Sequence, residues 1–160
     1  MQSITQNADV IITPSSGPAL GSDLTAATSG MSSTNPMTVV VNGDLDLNGW
    51  HNTGYGLLLV TGNLNYDPDA SWDGIVLVVG QGTVTGSKGG SGKFLGTFMV
   101  ARTRDTSGAL LPDPNLGASF VNFNAGSAMG GQGIYYSSCW MQAAQPRSAF
   151  KILSFHEISQ

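Results

Sequence analysis

The chain reads as an all-β protein, a short parallel β-solenoid (β-helix) with coils of about 19–21 residues and a C-terminal cap containing a short helix, and three observations carry that reading. The first is a motif that returns: Tyr55-Gly-Leu-Leu-Leu-Val-Thr-Gly62 comes back as Asp73-Gly-Ile-Val-Leu-Val-Val-Gly80. A looser copy, Met37-Thr-Val-Val-Val-Asn-Gly43, precedes them, and Leu95-Gly-Thr-Phe-Met-Val-Ala101 follows without the closing glycine. The second is spacing. Aligned on their last valines, Val41, Val60, Val79 and Val100, the copies recur at 19, 19 and 21 residues. Such a unit is too short for a strand-helix-strand crossover with its loops, yet long enough for one coil of a solenoid. The third is composition: 22 of 160 residues are glycine and 10% are charged, against about 7% and about 25% in ordinary domains.

A single coil cannot bury its apolar face alone. Equivalent strands stacked with like side chains above like make a continuous core, and glycines at the corners allow the sharp bends that each circuit needs. Neither Gly-x-Gly-x-x-Gly nor a P-loop ending follows these strands, so the glycines call for no phosphate.

Residues 1–36 form a Ser/Thr/Gly-rich lead-in, expected to be partly ordered, with one strand-like run, Val10-Ile-Ile-Thr13. The coils occupy 37–137. Leu45 and Leu47 alternate with Asp44, Asp46 and Asn48, the period of a half-buried strand. These residues also match the opening of a calcium loop, but the twelfth position is Tyr55 where an EF-hand needs a bidentate Glu.

Asp67-Pro-Asp-Ala-Ser-Trp-Asp73 is the better cation candidate, since Asp67, Asp69 and Asp73 offer carboxylates in a loop between two repeat strands. A polar turn in which Asp accepts local backbone N–H groups explains the same residues without calcium, and no metal or other cofactor is expected. A Gly- and Ser-rich corner follows at 80–92, and 103–117, with Pro112 and Pro114, reads as a loop inserted into the repeat. Strand patterns resume in Ala118–Asn124 and Gly133–Ser137. The cap is assigned to 138–160: Ser137 or Ser138 fits an N-cap for a short helix halted by Pro146, Phe150–Phe155 alternates as a closing strand, and Trp140 and Phe150 are its apolar anchors.

Function classes fall away on charge and residue counts. Six Lys plus Arg scattered singly, with a net charge of −4, leave no basic stripe for nucleic acid. No apolar run approaches the ~20 residues of a membrane span. One cysteine, Cys139, rules out an intramolecular disulfide or a Cys-based zinc site and reads as a small buried apolar residue.

Enzymatic β-helices such as pectin lyases stack carboxylates from coil to coil. Here the 19-residue register sets Asn63 and Asn65 against Asp44 and Asp46, so no carboxylate pair forms, and no Gly-x-Ser-x-Gly elbow is present. No catalytic residue is expected. Trp50 and Trp72 stand beside glycines near corners, where they offer either a sugar-stacking platform or core packing.

The stretches Gly56-Leu-Leu-Leu-Val-Thr-Gly-Asn-Leu64, Trp72–Gly80, Gly133-Ile-Tyr-Tyr-Ser-Ser-Cys-Trp140 and Lys151-Ile-Leu-Ser-Phe-His-Glu157 resemble the C-terminal β-solenoid domains of PilX-like type IV pilus assembly proteins, a likeness that covers about residues 37–158. Bactofilin-like polymers and surface adhesins look similar at this level. In the pilus family a class III signal and a hydrophobic helix precede the domain, so the resemblance implies a fragment of a longer exported protein. It carries over no catalytic residues. The expectation is therefore a non-catalytic structural or adhesive module, extracellular or at the cell surface, with other pilus or surface proteins, or copies of itself, as partners. The alternative is a carbohydrate-binding or carbohydrate-cleaving β-helix domain.

Overall fold

The computed structural model describes residues 2–86, 90–112, 119–123 and 133–145. In chain order the elements are α1 (Gln2–Gln6), β1 (Val10–Ile12), β2 (Ala19–Leu20), α2 (Gly21–Ala27), β3 (Met37–Val41), β4 (Leu45–Asp46), β5 (Thr53–Val60), β6 (Leu64–Tyr66), β7 (Ser71–Gly80), β8 (Thr83–Gly86), β9 (Lys93–Arg102), β10 (Phe120–Phe123), β11 (Gly133–Tyr136) and α3 (Ser138–Ala143). One sheet has the order β1-β3-β5-β7-β9-β11 and the other β10-β8-β6-β4-β2, with parallel neighbours throughout. From β1 to β10 each coil thus gives one strand to each sheet, which is the expected parallel β-solenoid.

The first sheet is apolar on both faces, and this explains why its strands read as unbroken apolar runs rather than as alternation. Val39, Val41, Leu58, Val60, Val76 and Val78 face the lumen. Leu45, Leu64 and Val84, stacked in register in the second sheet, belong to the same core. On the outer face Val40, Leu57 and Leu59 form a second cluster with Ile4 and Ala8 from the N-terminal segment and with Ile75, Leu77 and Val79.

Register departs from the valine alignment by one residue. Val41 pairs with Val60 as expected, but Val60 pairs with Val78, not Val79. A one-residue slip turns every side chain to the opposite face, so placing Val79 against Val60 would stack an outward residue on an inward one. Glycines set the frame instead. Gly56, Gly74 and Gly96 stand side by side across β5, β7 and β9 with φ of +111°, +144° and +143°. A Cβ on Gly74 would strike the Gly56 carbonyl, and one on Gly96 would strike the Gly74 carbonyl. The row is therefore backbone packed on backbone, which only glycine permits.

The lead-in supplies the first coil, ahead of the expected start of the coils at 37. The strand expected at Val10–Thr13 is β1, paired with β3, while β2 pairs with β4. Helix α2 follows, with the Asp23 carboxylate accepting the Leu20 N–H and with Leu24 fully buried in the lumen. From Thr103 the chain leaves the sheet in a turn held by Asp105, which accepts from Ser107 and from the Ala109 N–H. The remainder of the 103–117 loop, from 113, lies outside the described residues.

Helix α3 forms where expected, with the Ser137 hydroxyl accepting the Trp140 N–H. Its residues pack on β5, β7 and β9, across the face of the first sheet. Trp140 meets the Tyr55 ring at 5.7 Å between centroids. Phe150 and the expected closing strand lie outside the described residues.

Candidate functional site

Beyond the core, polar side chains collect at the corner that follows β4 and β6. Asp67 is almost wholly buried there. One of its oxygens accepts the Gly49 N–H of the preceding coil at 2.7 Å, and the other accepts the Asp69 N–H at 2.8 Å. Asp69 in turn accepts the Ser91 N–H and hydroxyl of the next coil at 2.8 and 3.3 Å. His51 completes the group, its Nε2 lying 3.5 Å from the Asp67 Oδ1. Beneath it the Tyr66 hydroxyl donates to the Ala70 carbonyl, and its ring packs on Phe94. Burial first, then the nearby charges of Asp67 and Asp69, push the Tyr66 phenol well above its ordinary range, so it acts as a donor and not as a base.

Among the described residues, His51, Asp67 and Asp69 bring three ligand-capable atoms within 4.8 Å of one another. Two of the three carboxylates singled out in the sequence are thus together, and the third is not. Asp73 lies within β7, between Tyr55 and Leu95, where burial raises its carboxyl above the usual range. It reads as a strand residue. The polar-turn reading of Asp67 holds as well, because both its oxygens accept backbone N–H groups.

His51 is the residue that the valine period misses. The glycine frame, which steps from Gly56 to Gly74, sets Gly49 under Asp67 and His51 under Asp69. A period one residue longer points His51 at Ala70 instead.

The other candidates resolve differently. Neither tryptophan offers a platform: Trp72 is 2% exposed and Trp50 6%. The Trp72 Nε1 donates to the Gly56 carbonyl and the Trp50 Nε1 to the Thr25 hydroxyl. Gly54 and Gly21 leave the space that these rings fill, so each indole is a core residue with its polar edge satisfied. Cys139 is exposed, contrary to the buried reading. Trp140, Met141 and Ala144 take the covered side of α3 and leave Cys139 outside.

Asp44-Leu-Asp-Leu-Asn-Gly49 is strand and turn. Leu45 and Leu47 are buried while Asp44 accepts the Asn63 N–H and Asp46 accepts from the Asn65 amide and the Asn48 N–H. The rows continue upward, Asn63 to Gln81 and Thr85 to Asn65, as side-chain bonds between successive coils. No helix among the described residues is long and apolar enough to cross a membrane. Comparison of the chain with protein-family models, with curated proteins and with solved structures finds no match.

Proposed function

We propose that the chain is a non-catalytic structural or adhesive module of the cell exterior, a domain of a type IV pilus-associated assembly protein as its resemblance suggests. The observation that carries this reading is where the polar side chains are directed. Asp44, Asp46, Asn63, Asn65 and Asp69 spend hydrogen bonds on the neighbouring coil, which stiffens the stack along its length. Both tryptophans that a carbohydrate module would display are interior. Contact with partners falls to exposed apolar side chains near the last described coil: Met99, Ile134, Tyr135 and Tyr136.

The test pairs a glycan array and a reducing-sugar assay with photo-crosslinking from position 136 on piliated cells. Blank glycan readouts with crosslinks to pilus or other surface proteins are expected. Glycan binding or release of reducing ends would replace this reading with the carbohydrate alternative.

A further inference from the structure

We propose that the His51–Asp67–Asp69 corner is a binding site for a divalent transition metal, zinc being the best match, which clamps successive coils of the solenoid together. The donor set is one imidazole nitrogen and two carboxylates, a mixture that suits zinc and its neighbours, whereas calcium takes six to eight oxygens. The geometry points the same way. At 3.5 Å the His51 Nε2 and the Asp67 Oδ1 are too far apart for a good hydrogen bond, but two ligands of one tetrahedral zinc, each ~2.1 Å from it, stand ~3.4 Å apart.

Asp67 is the fixed member. Its carboxylate is held from two sides by the Gly49 and Asp69 N–H groups, and each oxygen keeps a second lone pair. His51 has 62% of its side chain exposed, so its imidazole is open to a metal from solvent, and the Asp69 carboxylate is accessible as well. Charge adds a reason. Two carboxylates meet here, and among the described residues the ion-pair partner of Asp67 is a histidine, which contributes a positive charge only when protonated. A dication offsets both carboxylates and leaves a fourth position for water.

The site joins His51 of one coil to Asp67 and Asp69 of the next and, through the bond from Asp69 to Ser91, reaches a third. Binding to the native state alone therefore raises its stability.

The experiment uses the full chain, stripped with chelator and titrated with Zn²⁺, Mn²⁺ or Ca²⁺ by calorimetry, with melting temperature followed in parallel. Zinc is expected to bind one per chain and to raise the melting temperature by several degrees. His51→Ala and Asp69→Asn should each weaken it at least tenfold, while Asp73→Asn and His156→Ala leave it unchanged. Because His51 is exposed, and because the amide introduced by Asp69→Asn keeps an oxygen for Ser91, both variants should melt like the parent in chelator. The proposal is overturned if none of these metals binds, if zinc affinity survives His51→Ala, if the loss follows His156→Ala, or if calcium binds as tightly as zinc with or without His51.

Discussion

Strands β7 and β11 lie on either side of β9 in the same sheet and in the same register, yet one is interior and the other is not. Trp72 and Gly74 on β7 align with Phe94 and Gly96 on β9, and these with Ile134 and Tyr136 on β11. Along the first row, exposure goes from 2% at Trp72 to 6% at Phe94 and 46% at Ile134. Along the second, the glycine row ends in Tyr136 at 77% exposed. A coil is buried by having a coil on both sides, so the sequence demand at a given row is strict in the middle of the stack and relaxed at β11, its last strand among the described residues.

The largest effect expected from this difference is at Gly74. Gly74→Ala places a Cβ against the Gly56 carbonyl, backbone that cannot withdraw, at a φ of +144°. A loss of more than about 5 kcal/mol is expected, read as loss of the cooperative transition in circular dichroism melts. Retention of the parental melting temperature would break the claim that the glycine row is backbone against backbone.

Trp72→Ala comes next. It empties a lumen position and takes the indole N–H away from the Gly56 carbonyl, with an expected cost of ~3–5 kcal/mol in denaturant unfolding. A cost under about 1 kcal/mol, the level of an ordinary surface change, would return Trp72 to the list of display residues.

The smallest effect is expected at the end of the same rows. Tyr136→Ser should change stability by no more than about 0.5 kcal/mol, since the side chain is already in water. What should fall is association, measured by light scattering or crosslinking, because the apolar edge is the docking surface proposed above.

Much of this was legible in the sequence, and the part that was not has a physical reason. The runs Leu57–Val60 and Ile75–Val79 announced stacked parallel strands because a sheet covered on both faces needs no alternation. The same continuity hid the register. A run with no polar member does not say which residue points inward, so the last valine of each copy was a poor anchor, whereas the glycines, fixed by steric necessity, were a sound one.

The corner site followed the register. Asp67 and Asp69 announced themselves as acidic residues close in sequence, but His51 joins them only across a coil, at the spacing that the glycines alone reveal. The first coil was hidden for another reason. The step from Val10 on β1 to its partner Val39 on β3 is wider than any between the later copies, because α2 is folded into it, so the valine repeat does not extend that far back.

One register sets both the core and the corner site, and nuclear Overhauser spectroscopy on the isotope-labelled chain reads it directly. The glycine frame predicts a single methyl row, Val41 to Val60 to Val78 to Val100, with Val79 instead contacting the outer cluster around Leu59. Backbone contacts should link Gly56 to Gly74 and Gly74 to Gly96 in a parallel pattern. A methyl row running Val60 to Val79, or antiparallel contacts between β5 and β7, would contradict it.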